Sequence, residues 1–269
     1  MTAWRWRVPC LALAAALLAC GTLPAADGGR KPAKETASFG TLRGLSPDEA
    51  RQQAGAWLKA VGKTDAATQK AFDQLWQADR PTLDKVAATL ALGNAAAAKL
   101  LADARDPDAP APTAVPNLVK DTKLPAFFRA NLALAYGKAL CSRKVYEEGL
   151  EALKAARPEE VVDPASYLFH KAVAEHALML KEQADDSVDR LLVDAVDAPE
   201  RYRMVAALMH FDMLTWKDKD LGWIARKMGV IKDRLDLTRG GKKTQTMQKE
   251  VVVRLDEMIK EIENKKGGS

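Results

Sequence analysis

From residue 46 onward, apolar side chains return every three or four positions, the spacing of helices that each bury one face. Ser46-Pro47-Asp48-Glu49 opens the first: Ser46 caps, Pro47 suits the first helical position, and Glu49 completes a capping box. This helix is expected to reach about Val61 and to bury Ala50, Ala54, Trp57, Leu58 and Val61. A second, over about 65–78, carries Ala71, Phe72, Leu75 and Trp76. A third runs from Pro81 to Gly93 with Leu83, Val86 and Leu90, and Asn94 caps a fourth that ends near Arg105. Short connections make such helices antiparallel neighbours, so residues 45–105 read as a four-helix subdomain.

Residues 106–124 interrupt the pattern. Pro107, Pro110, Pro112 and Pro116 remove amide donors and disfavour helix in the residues before them, which predicts an extended connector. Helices resume at Pro125: Phe127–Cys141, Val145–Ala156 stopped by Pro158, then Asp163-Pro164 to about Leu180, and Gln183–Val196. Pro199 opens another, with Tyr202, Val205, Leu208, Met209 and Met213 as its apolar stripe. The next, about Asp220 to Leu235, holds Leu221, Ile224, Met228 and Ile231. After the repeat-like region 125–243, a last helix (about Thr244 to Lys265, within 244–269) carries the stripe Val251, Val252, Leu255, Met258, Ile259 and Ile262. Its polar side offers Glu250/Arg254, Asp256/Lys260 and Glu261/Lys265 as i,i+4 pairs. A helix so amphipathic must cover its stripe, and capping the preceding array is the first expectation, dimerisation the second. No run alternates with period two between hairpin turns, so the predicted fold is all-α.

Helix pairs recurring at about 38 residues suggest stacked hairpins. Over 133–158 the chain resembles a tetratricopeptide repeat. Gly137 stands at a small-residue position, Tyr146, Glu147 and Glu148 at the opening of the second helix, Gly149 at its small position and Pro158 at the terminating proline. Ala172 and Ala184 repeat the two small positions in the following pair, where closely crossing helices leave no room for more. Ala133 departs from the repeat's usual aromatic, and the second unit lacks a terminal proline. The run Arg239-Gly240-Gly241-Lys242-Lys243-Thr244-Gln245 also resembles that of a group of exported bacterial helical proteins with no assigned activity. These resemblances imply an α-solenoid, export and no particular chemistry.

The first residues change the picture from a cytosolic protein to an exported one. Arg5 and Arg7 precede the apolar run Val8–Ala19, too short to span a bilayer but fitting a signal peptide over 1–20. Leu17-Leu18-Ala19-Cys20 resembles a lipobox, in which the Cys20 thiol takes a diacylglyceryl group and anchors the protein to the membrane. Ala19-Cys20-Gly21 alternatively offers an A-x-A-like cleavage site that would release a soluble chain. Residues 21–44, small, polar and Gly-containing, read as a flexible tether. With Cys10 and Cys20 removed or modified, Cys141 is left without a disulfide partner and reads as a small apolar residue inside a helix. The overall values, 48% hydrophobic and 29% charged, exclude general disorder, and a net charge of +5 is too mild for an obligate nucleic-acid binder.

Candidate chemistry is sparse. Gly241-Lys242-Lys243-Thr244 lacks the upstream glycine and the preceding strand of a phosphate-binding loop. His170 and His176 are six apart and fall on different helix faces, against a metal site, and no cofactor is expected. Glu175 reads as a residue of a solvated helix face, without the second carboxylate that glycan hydrolysis needs. Basic residues cluster between Arg226 and Lys249, and Arg239, Lys242 and Lys243 form a candidate patch for an anionic envelope polymer or membrane surface. The leading expectation is a non-enzymatic, lipid-anchored scaffold of the cell envelope that binds other proteins and no nucleic acid. A glycan-processing enzyme, or a structural protein gripping anionic polymer, are the alternatives.

Overall fold

A computed structural model describes residues 40–267; the expected signal peptide, Cys20 and the expected tether as far as residue 39 lie outside the described residues. The described residues form an all-α fold: α1 (Pro47–Ala60), α2 (Ala66–Gln77), α3 (Thr82–Gly93), α4 (Ala95–Arg105), α5 (Asn117–Lys120), α6 (Ala126–Ser142), α7 (Tyr146–Leu153), a 3₁₀ turn (Pro158–Glu160), α8 (Pro164–Ala177), α9 (Lys181–Val193), α10 (Glu200–Leu214), α11 (Leu221–Asp236) and α12 (Lys242–Gly267). The caps are those the sequence announces. Ser46 and Glu49 exchange capping-box bonds, Asn94 accepts from the Ala97 amide, and Asp163 accepts from the Ser166 amide. Val61, expected in the core, is instead the cap residue that ends α1 and is 42% exposed.

The centre of the molecule is α6. It is apolar around its whole circumference, as a helix enclosed by others must be, and α1, α3, α4, α5, α7 and α8 all pack on it. Trp57 of α1 stacks on Phe128 of α6 at 5.2 Å. Because α3 and α4 lie directly against α6, the N-terminal helices are no separate subdomain: one buried cluster is continuous from Leu42 to Met213. The proline-rich segment belongs to it too. Val115 and Val119 are buried, and α5 forms after Pro116, whose missing amide costs nothing at a helix start.

Two hairpins, α6–α7 and α8–α9, follow the same plan, and α8 packs on both helices of the first. Each turn is closed by a residue in the left-handed region, Lys144 (φ 60°) and Met179 (φ 61°), 35 residues apart. In each, the next amide reaches back five residues, Val145 to Leu140 at 2.9 Å and Leu180 to Glu175 at 2.9 Å. The α11–α12 turn repeats this with Thr238 (φ 59°) and Arg239 bonding back to Arg234.

Part of the expected tether is structured. Leu42 is buried and pairs in parallel with Ala195, its amide donating to Asp194 and its carbonyl accepting from Val196. The Gly44 amide donates to Asp197 and the Leu45 amide to Val162. One buried leucine, its two backbone bonds to Asp194 and Val196, and the Gly44 bond to the Asp197 carboxylate hold this segment against the α9–α10 loop, while Leu45 is held by Val162 ahead of α8, which composition alone does not signal.

The C-terminal hairpin α11–α12 has a small core of its own, Ile224, Ile231 and Val251 with Met247 and Met258 packed against it. α12 therefore does not cap the array. It packs on α11 and leaves Val252, Ile259 and Ile262 more than half exposed. Its ion pairs also differ from the i,i+4 set: Glu250 reaches Lys227 across the hairpin, and Arg254 bridges Glu257 and Glu261 at 3.0 Å each.

Candidate interaction surface

The sequence-predicted positions fall into three places. Gly137 and Gly149 face each other where α6 crosses α7. A Cβ on Gly137 would lie 2.7 Å from the Leu153 Cγ and 3.1 Å from the Gly149 carbonyl, and one on Gly149 would lie 2.9 Å from the Cys141 Sγ. Ala172 and Ala184 occupy the same positions of α8 and α9 and are fully buried, while Tyr146 is half-buried at the start of α7. Cys141 sits inside this crossing, and burial pushes its thiol up to about 12, so it is inert packing.

Arg234 and Arg239 turn inward, while Lys242 and Lys243 stay exposed. Arg239 donates to the Pro112 carbonyl at 2.6 Å and pairs with Glu148 at 2.9 Å and Glu147 at 3.4 Å. Lys243 reaches Glu147 at 2.7 Å, and Arg234 also pairs with it. Desolvation works to raise the Glu147 carboxyl, but bonds from Lys243 and Arg234 outweigh it and hold the group below the usual glutamate range. Arg239 and Lys243 thus fasten the C-terminal hairpin to α7, and Lys242 alone of the three stays outside this cluster. The crevice beside them, between α7, α8 and α11, encloses about 20 Å³, room for about one water and not for a polymer.

Glu175 is not on a solvated face. It is 1% exposed, accepts from Ser187 at 2.6 Å and pairs with Lys171 at 2.9 Å, while Lys171 also donates to Ser187 at 2.7 Å. The three close a buried polar knot between α8 and α9, with every strong donor and acceptor paired. Its spacing was open to inspection, since Lys171 and Glu175 are four apart, but Ser187 is brought by the hairpin.

The histidines do not converge. His176 meets Asp212 at 2.9 Å, and Trp216 donates to the same carboxylate at 2.8 Å; His210 meets Asp185 at 2.6 Å. Among the described residues no cluster of His, Cys, Asp or Glu is arranged to hold a metal, and no helix is long and apolar enough to cross a membrane. His170 is buried, its Nδ1–H donating to the Ser166 carbonyl at 2.7 Å, and desolvation pushes it down from 6.5 to about 4. The unfolded chain therefore takes up a proton below about pH 6.5 that the folded one accepts only near pH 4, so stability falls as pH falls through that window. The full effect is about 3 kcal/mol at 1.36 kcal/mol per pH unit. His170→Gln, which keeps a donor for the carbonyl, is expected to lose that much less stability between pH 7 and pH 4 in urea titrations.

What remains open on the surface is α10. Tyr202, Ala206, Met209 and Met213 are buried against α8 and α9. Val205 and Leu208, assigned by periodicity to the same stripe, are instead 41% and 66% exposed. Met204, Leu208 and Phe211, at i, i+4 and i+7, run along the opposite side, flanked by Val205 and Leu214; Met204, Phe211 and Leu214 are each about 60% exposed. α10 carries apolar residues on its outer side as well as on the side facing α8 and α9, between the polar Glu200, Arg201, Arg203, His210 and Asp212. Adjacent exposed apolar side chains along one helix face make this the candidate interaction surface. Comparison with protein families, curated proteins and solved structures finds no match to this chain.

Proposed function

We propose that the protein is an exported, lipid-anchored scaffold of tetratricopeptide type that holds another protein of the cell envelope on the outer face of α10. The observation that carries this reading is the row of apolar side chains on the outer face of α10, Met204, Leu208, Phe211 and Leu214, left in solvent. The repeat assignment is supported by the paired small residues 137/149 and 172/184, by left-handed turn residues 35 positions apart, and by α8 lying against both helices of the preceding hairpin. Stacked hairpins commonly serve as extended binding surfaces rather than reaction centres. Export and anchoring rest on the charged and apolar run before Cys20. Leu208→Glu together with Phe211→Glu is the test: both lie outside the core, so melting is expected to hold while in-cell crosslinking to the partner is lost.

A further inference from the structure

The geometry of α12 points to a second exposed surface with a different occupant, and we propose that it is a second copy of this chain, paired antiparallel through α12. The α11–α12 hairpin sets the register: Lys227 lies opposite Glu250, and Arg254 Nε donates to the Lys219 carbonyl at 2.6 Å. α11 begins at Leu221, so α12 from about Ile259 onward runs past the end of the helix it packs on. Val252, Leu255, Ile259 and Ile262 form one stripe there, beside the seam that faces α11, with exposures of 56%, 37%, 53% and 53%. Spacings of three, four and three are those of a two-helix seam.

The charges along one edge of this stripe select the partner. They read Lys249, Asp256, Lys260 and Glu263, and the ion pairs of α12 within the chain are made by other residues, Lys243, Glu250, Arg254, Glu257 and Glu261. Set parallel, this edge would face the opposite flank of the second copy's stripe, where Val251 and Met258 are taken up by α11, and its charges would find no partners. Set antiparallel about residue 257, Lys249 meets Glu263 and Asp256 meets Lys260 of the second copy, while Val252 meets Ile262 and Leu255 meets Ile259. The edge is its own complement only in the reversed direction, which is the self-complementarity of a two-fold contact. The apolar stretch is about 15 Å long, so the interface is of the small, reversible class, with dissociation in the micromolar range.

Sedimentation equilibrium of the full chain is expected to show a monomer–dimer equilibrium between about 1 and 100 µM. Leu255→Glu with Ile259→Glu should weaken it at least about a hundredfold with helix content and melting unchanged, since neither residue is in the core. Lys249→Glu alone should weaken the dimer, and Lys249→Glu with Glu263→Lys should restore it. These two residues are about 21 Å apart along one helix and cannot pair within a chain. A chain monomeric at 100 µM, or a dimer untouched by the double glutamate variant, overturns the proposal. Failure of the charge exchange to restore association overturns the antiparallel pairing.

Discussion

Glu175→Ala is expected to lower the unfolding free energy by about 3 kcal/mol, among the largest losses available to a single side chain here. Glu175 is 1% exposed, and its carboxylate is the acceptor for both Lys171 and Ser187. Removing it leaves an ammonium that is only 20% exposed without its counter-charge, and a buried hydroxyl without its acceptor. The loss comes from the stranded partners, not from any large net gain of the intact pair. Replacing the group as a whole, Glu175→Leu with Lys171→Met, should therefore recover much of the stability lost in the single variant. Urea midpoints of the three proteins decide it. A single variant within 1 kcal/mol of the parent would mean that Glu175 is hydrated.

Gly137→Leu should cost about as much, roughly 3 kcal/mol, by a different route. The space for a side chain at this position is already filled by Leu153, 2.7 Å from the ideal Cβ, and by the Gly149 carbonyl at 3.1 Å. A larger residue forces α6 and α7 apart, and α6 is the helix on which the other elements rest, so the disturbance reaches both sides of the core. Gly229→Ala in α11 is the control. Nothing lies within 4 Å of a Cβ there, and the exchange should stabilise the protein by up to about 1 kcal/mol through helix propensity alone.

The helices were legible in the sequence because each is announced locally. Ser46, Asn94 and Asp163 cap, Pro47, Pro164 and Pro199 open or precede helices, and apolar residues return at helical spacing. What periodicity does not supply is the identity of the neighbour. The stripe assigned to α10 merged two faces, since Tyr202 and Met209 look inward while Leu208 looks outward, and both readings satisfy a spacing of three or four. The amphipathic α12 was assigned to cap the array, yet it spends its seam on α11. Charge was misplaced for the same reason. Arg239 and Lys243 look free on paper, and only the fold brings Glu147 and Glu148, about ninety residues earlier, beneath them. Residues 40–44 lack helical pattern and read as tether, although Leu42 is held by a backbone pairing to Ala195 that no local rule encodes. The open face of α10 did leave a trace: Met204, Leu208 and Phe211 return at helical spacing beside the inward stripe, more apolar surface than one buried face requires.

The central claim is that the outer face of α10 is a binding surface, and it is tested most directly by placing a photo-crosslinking residue at Phe211 in the full chain within cells. A second chain carries the same residue at Lys59, an exposed position on α1. The account predicts a discrete covalent adduct to one protein from position 211, absent from position 59 and abolished by Leu208→Glu. Labelling that is equally diffuse from both positions, or an adduct indifferent to Leu208→Glu, would contradict it.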